Sequence, residues 1–444
     1  MDALNKISKC VIISVICALL IAGCSSKSNI QTSSGNAGGG KQVTLNVLNY
    51  HVGEDYAAPF FKKLFDEFPN SDLGKGVKFN LQEIPTTDAY AQKVKVLFAT
   101  GDLPDIVLTT GNYILDLAVK SGKIADLTPY FDADPAWKSS FDPDALERNS
   151  INGKIYAVPN QKEIAMIFFN KALFKKAGIE PPETSFASWD EFFAACDKLK
   201  AAGITPISLD TNDFAWLSSM FLGAMVGTAN EAGNQFMNTM KPTNFNTPEV
   251  VDALKNLKTM LARYTTKDAV GGKYDPMAAH FLMGEVAMIA NGPWMVPDFS
   301  NKEKATPDLP EQIGVMLFPK DGMVSVPGTG DMVAAGDKNK IDAAVNFLKY
   351  ETTLDNQITS LKMTGIIPVS PQAVVPDDFN KENPIVGRML ELSTKAKYLF
   401  GENQANWYQN TLDTLSRQLP ELAFDKITPE ELAKQLEEVA QKNK

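Results

Sequence analysis

The chain has 444 residues and a formal net charge of −10. It is too long for one ordinary hydrophobic core, so two large domains are the starting expectation. A content of 44% hydrophobic and 22% charged residues is ordinary for a soluble globular protein, and the acidic balance argues against nucleic acid or anionic lipid as a partner.

Lys6 and Lys9 form a basic start. The apolar run from Cys10 to Ile21 is too short to span a membrane comfortably and has the pattern of a signal-peptide core. Its end, Leu20-Ile21-Ala22-Gly23-Cys24, resembles a bacterial lipobox. That resemblance implies a signal peptide over residues 1–23, cleavage before Cys24 and lipid on the Cys24 thiol. A plain signal peptide or an uncleaved anchor fits the same run. Residues 24–42 are rich in Ser, Gly and Asn without apolar periodicity and read as a flexible tether. With Cys10 and Cys17 removed and Cys24 lipidated, Cys196 stands alone, so neither an internal disulfide nor a cysteine zinc site is expected.

Residues 43–48 alternate apolar and polar as a strand does. Phe61, Leu64, Phe65 and Phe68 recur at helical spacing in a helix expected over residues 59–68. A strand over 77–84, a helix over 88–100 and a strand over 106–108 follow. This alternation reads as an α/β layer on a largely parallel sheet. Ligands gather beyond the carboxyl ends of such strands, where this chain carries His51, Asp88, Thr110 and Asn112. Two apolar β-type runs, 155–158 and 164–169, then flank Pro159-Asn160-Gln161-Lys162-Glu163. Pro159 lacks the N–H that a ladder needs, so the strand is expected to break there. The polar break suits a crossover between domains, with Asn160 to Glu163 facing a cleft. A surface turn joining two strands of one sheet would read the same way.

A helix over 171–177 stops at Gly178. Ser188-Trp189-Asp190-Glu191 is a capping box opening a helix that runs through Leu199. Residues 204–209 are a strand whose Pro206 marks a sheet edge, and Asp210 to Trp216 follow it. Thr247-Pro248 opens a helix with Val250, Leu254, Leu257 and Leu261 on one face. The strand 286–290 ends at Asn291-Gly292-Pro293-Trp294. Strands over 313–318 and 332–335 are expected around Pro327-Gly328-Thr329-Gly330-Asp331. The remainder is helical, and Thr428 with Glu431 caps the last helix.

Signs of catalysis are poor. His51 and His280 are the two histidines, far apart and without metal spacing. The chain has no nucleophile elbow, and Gly328-Thr329-Gly330 lacks the third glycine of a dinucleotide loop. No catalytic residue, metal or cofactor is expected, although the many carboxylates leave a secreted glycosidase as an alternative. Signs of binding are better. Trp216, Trp294 and Trp407 stand at strand ends or in polar segments. Indole faces stack on sugar rings while carboxylates and amides bond the hydroxyls, though each tryptophan fits a core as well.

Taken in order, LPDIVLTTG, GKIYAVP with IFFNKALFKKAGI, SWDEF, GEVAMIANGPW, the GTGD loop before AAVNFLKY, and GIIPV resemble the extracellular solute-binding proteins of family 1. These are sugar-binding lipoproteins of ABC importers. The resemblance implies an α/β, two-domain periplasmic-binding-protein-like fold (class II), with hinged lobes and a ligand cleft between them. It places the hinge near residues 158–161, 313–318 and 364–368. Lobe 1 is then 43–158 plus 318–365, and lobe 2 is 159–317 plus 366–444. It implies binding rather than catalysis, an oligosaccharide ligand, permease subunits as partners, and a monomer held outside the cytoplasm on the cell membrane by lipid alone. A polyol or peptide ligand is the alternative. Within the family, Glu163 matches a cleft carboxylate, and Trp294, Trp407 and Tyr408 match sugar-stacking aromatics. Trp216, Asp210, Asn160, Thr110, Asn112, Asp88, His51, Gly330 and Asp331 complete the candidate set.

Overall fold

The computed structural model describes residues 42–109 and 113–443. Cys24, Thr110 and Asn112 lie outside the described residues. Eleven strands form among those described: β1 (Val43–Asn49), β2 (Val77–Glu83), β3 (Ile106–Val107), β4 (Ser150–Ile151), β5 (Lys154–Ile155), β6 (Ala157–Asn170), β7 (Thr205–Ile207), β8 (Val286–Asn291), β9 (Ile313–Met316), β10 (Gly322–Val333) and β11 (Tyr398–Phe400). β1 runs parallel to β2 and β3. Helices Ala58–Glu67 and Thr87–Thr100 make the connections, as parallel pairing requires. The sheet order is β2-β1-β3-β10-β6-β8-β7, with β11 beside β10 and β9 beside β6. β7 ends the order, where Pro206 costs no ladder bond on the open side. β10 lies antiparallel to both β3 and β6, so the sheet is mixed beyond its amino-terminal layer.

Two expectations about the strands change together. β6 is one strand of 14 residues that includes Pro159, and β10 takes in residues 327–331, expected as a loop. The register of β10 on β6 shifts between Val326 and Thr329 and again between Thr329 and Gly330. The irregularity opposite Pro159 is thus absorbed by a bulge in the partner strand. Gly328 sits there at φ +47°, which glycine adopts without strain. A Cβ on Gly330 would stand 2.6 Å from the Val158 carbonyl carbon, so close backbone packing explains this glycine, not ligand contact. Gly330→Ala should therefore cost about 1–3 kcal/mol of stability, read as a lower denaturation midpoint.

Helix Trp189–Ala201 starts with half of the expected capping box. Ser188 accepts the Glu191 N–H at 3.2 Å, but the Glu191 carboxylate takes the Ala187 N–H instead, at 3.1 Å. Helix Pro429–Gln441 has the complete box.

Strand alternation distributes the cores. Ala165, Ile167 and Phe169 of β6 enter one cluster with Phe192, Phe221, Leu254 and Leu436. Ile164, Met166 and Phe168 face the opposite way, into a cluster with Phe281, Phe299 and Met389. β8 is buried along its whole length, as an unbroken apolar run suggests. A third core gathers Leu45, Val47, Ile106, Phe131, Val158, Val333 and Phe347.

The chain moves between this third core and the other two in three places. In β6 the change falls between Val158 and Ile164, and in β10 between Val326 and Met332. After Leu348 the chain crosses again, Leu361 and Ile367 packing on one side and Val369 on the other. Residues 313–318, where the resemblance places the second crossing, pack wholly with the first two cores. β9 is too short to span both sides, whereas the 12 residues of β10 do.

Candidate ligand-binding site

Asp210 is fully buried. Its Oδ1 accepts the Ser218 N–H at 3.3 Å, in the first turn of helix Trp216–Gly227, where amide donors have no helical partner. Burial pushes this carboxyl up to about 7 despite that bond. Asp210 thus supports the start of the helix rather than lining an open surface. Phe214 and Ala215, just before the helix, hold φ values of 67° and 51°. Trp216 follows them directly, as the first residue of the helix.

Trp216 is half-buried and donates from Nε1 to Glu402 Oε1 at 2.9 Å. Its ring meets Trp294 edge-on at 5.9 Å and Tyr274 at 5.5 Å. Trp294 follows β8, and its ring folds back over Gly292, where a Cβ would lie 2.2 Å from it. Glu163, on the crossing stretch of β6, accepts from Gln161 Nε2 at 3.1 Å. Its charge is felt by Glu402, Tyr56 and Arg148. Burial first, and Glu163 second, raise the Glu402 carboxyl. Burial, then Asp55 and Glu163, raise Tyr56. Burial lowers Arg148, against the pull of Glu163.

These groups arrive from both sides of the molecule. Tyr56 packs against the third core, and Arg148 ends helix Pro143–Arg148, whose Ala145 lies in that core. Trp216 and Trp294 pack against the first two cores. At the rims Arg148 Nη1 donates to Asn406 Oδ1 at 2.7 Å, and Lys241 pairs with Asp116. Asn301 Nδ2 reaches Glu54 Oε2 at 3.5 Å. Hydrogen bonds, ring contacts and mutual electrostatic influence bring two carboxyls, two indoles, a phenol and a guanidinium near one another. Such a set can bond hydroxyl groups and cover the apolar face of a ring.

The other expected residues are placed as follows. Asn160, His51 and Asp331 line a separate polar cavity of about 30 Å³ with Tyr50, Thr109, Gln161 and Glu351. Trp407 is only 3% exposed and stands edge-on to Phe245 at 4.7 Å, inside the core. Tyr408 is half-buried against that core at the entrance to helix Gln409–Ala423. Asp88 lies in the first turn of helix Thr87–Thr100. Sequence reasoning missed Glu402, Tyr56 and Arg148. In the polar segment 403–409 the aromatics are the candidates, yet the group that bonds Trp216 is the acid just before it. Among the described residues no cluster of three or more His, Cys, Asp or Glu could hold a metal ion, and no helix is long and apolar enough to cross a membrane.

A sequence profile described as bacterial extracellular solute-binding protein matches residues 63–386. The chain belongs to this family. A multiple sugar-binding protein of Streptococcus mutans is 25% identical over 353 residues, 76% of this chain and 76% of the relative. An arabinooligosaccharide-binding protein of Bacillus subtilis is 24% identical over 358 residues, 78% of this chain and 76% of the relative. The solved structure of a chitin oligosaccharide binding protein superposes with a TM-score of 0.78 at 24% identity, covering 91% of this chain and 99% of that one. The fold of this solute-binding protein is the α/β, two-lobed class II fold. Its family and relatives are binding proteins.

Proposed function

We propose that this solute-binding protein captures a carbohydrate, an oligosaccharide, between its lobes and delivers it to the permease of an ABC importer. The observation that carries this reading is the convergence of Glu163, Glu402, Trp216 and Trp294 with Tyr56 and Arg148 from the opposite lobe. Carboxyls outnumber the guanidinium, which disfavours an anionic solute. The relatives named for sugars and oligosaccharides support the same class. A ligand that touches both lobes at once favours the closed form. The three changes of core, in β6, in β10 and after Leu348, form the hinge in this reading, so lobe 1 regains the chain within β10. The protein acts as a monomer, by binding without covalent chemistry, and is held at the outer face of the membrane by lipid on Cys24.

A thermal-shift screen against neutral oligosaccharides, polyols and peptides tests the ligand class. A ligand at a hundred times its Kd stabilises the native state by about 2.7 kcal/mol, so a cognate sugar should raise the melting temperature clearly. A response to peptides or polyols with none to sugars would overturn the proposal, and new reducing ends on incubation with an oligosaccharide would overturn the binding-only reading. Cys24→Ala should release the protein from the membrane fraction and leave sugar affinity unchanged, because the tether is separate in sequence from every cleft residue.

A further inference from the structure

The three stretches that change core meet at the small polar cavity. β6 supplies Asn160 and Gln161, β10 supplies Asp331, and the segment after helix Lys338–Glu351 supplies Gln357, Ser360 and Ile366. Asn160 Nδ2 donates to Asp331 Oδ2 at 3.2 Å and to Glu351 Oε1 at 3.3 Å, so one amide group serves two carboxyls. Asp331 is 2% exposed and Glu351 4%. The second oxygen of Asp331 accepts the Thr109 N–H at 2.8 Å, while Glu351 Oε2 has no hydrogen-bond partner. Tyr50 and His51 face the pair from the end of β1. The Tyr50 hydroxyl donates to the Thr109 carbonyl at 2.9 Å, and His51 Nδ1 contacts Asp55 Oδ1 at 2.7 Å. Among the described residues no lysine or arginine lines this cavity. Two carboxylates buried in this way cannot both ionise.

We propose that Asp331 and Glu351 share one proton beneath the hinge and act as positioning residues for the sugar site, holding Asn160 and with it the stretch of β6 that carries Gln161 and Glu163 into the cleft. The inference rests on reading that cleft as a sugar site. Gln161 links the two places, since it lines the cavity and also donates to Glu163. Burial raises both carboxyls, and the charge of Asp331 raises Glu351 further. A carboxyl raised on folding contributes stability that is complete below its unfolded value of about 4 and is lost as pH climbs through its folded value. Above that range one amide must serve two facing anions, and the crossing strands loosen.

Melting temperature without ligand and sugar affinity, both followed from about pH 5 to 9, test this in wild type, Glu351→Gln, Asp331→Asn and Glu351→Ala. In wild type both should fall as pH rises, affinity by about tenfold, the equivalent of one pKa unit between open and closed forms. Glu351→Gln places a neutral N–H donor beside Asp331 and should flatten both profiles, and Asp331→Asn should do the same. Glu351→Ala removes an acceptor from Asn160 and should weaken affinity at every pH, with Glu351→Gln restoring it. Asp210 and Glu402, also raised by burial, titrate in all four proteins, so the reading is the difference between wild type and variant. Identical profiles in wild type and Glu351→Gln would overturn the shared proton. A melting temperature that follows sodium or calcium at constant ionic strength would replace the proton with a cation. Flattened melting with an unchanged affinity profile would overturn the positioning role. If wild type binds no sugar at any pH, the sugar reading falls and the positioning role with it, while melting without ligand still decides the proton.

Discussion

Trp407→Ala should lower folding stability by about 3–5 kcal/mol and leave the sugar affinity of the folded protein nearly unchanged. The ring is packed edge-on against Phe245 and, at 6.2 Å, Phe236, in the core shared with helices Trp216–Gly227 and Gln409–Ala423. Its removal leaves a cavity those helices cannot close, because each is held by other buried contacts. The indole N–H has no acceptor, so Trp407→Phe, which keeps a ring and removes that orphan donor, should cost less than about 1.5 kcal/mol. Chemical denaturation read beside calorimetric titration separates the two effects. Lost affinity with intact stability in Trp407→Ala would return this residue to the sugar-stacking role that the family resemblance implies.

Trp216→Ala should have the opposite profile. We expect a loss of about 2–4 kcal/mol of sugar affinity, roughly a factor of 30 to 1,000 in Kd, with a small change in the ligand-free melting temperature. The ring is half-buried at the first turn of its helix, so little of the core depends on it. Two groups in the cleft do: Glu402 loses its indole donor, and Trp294 loses the ring on its edge. Trp216→Phe divides the effect, since it retains the apolar face and removes only the N–H. A collapse of ligand-free stability with unchanged affinity would make Trp216 a plug between helices and move the sugar site elsewhere.

The fold was legible in the sequence wherever a local pattern reports burial. Alternation in β1, the helical spacing of Phe61, Leu64, Phe65 and Phe68, the unbroken run of β8 and the box at Thr428 each reflect a face that must be covered or an end that must be capped. The order of short motifs along the chain carried the fold class and the family. Of the group gathered near Glu402, the sequence reading names Glu163, Trp216 and Trp294, each from its place in a polar stretch beside an apolar run. Tertiary structure alone decided the rest. Trp216 meets Glu402 across 186 positions, and Asn160 meets Glu351 across 191. No local period marks such partners, because they are chosen by which strands pair. Strand pairing likewise decided that β6 runs through Pro159, since the bulge in β10 that accommodates it lies far along the chain. The same applies to the tryptophans. Trp294 and Trp407 both follow short polar stretches, yet packing turns the Trp407 ring onto Phe245 in the core, while the Trp294 ring folds over Gly292 and meets Trp216.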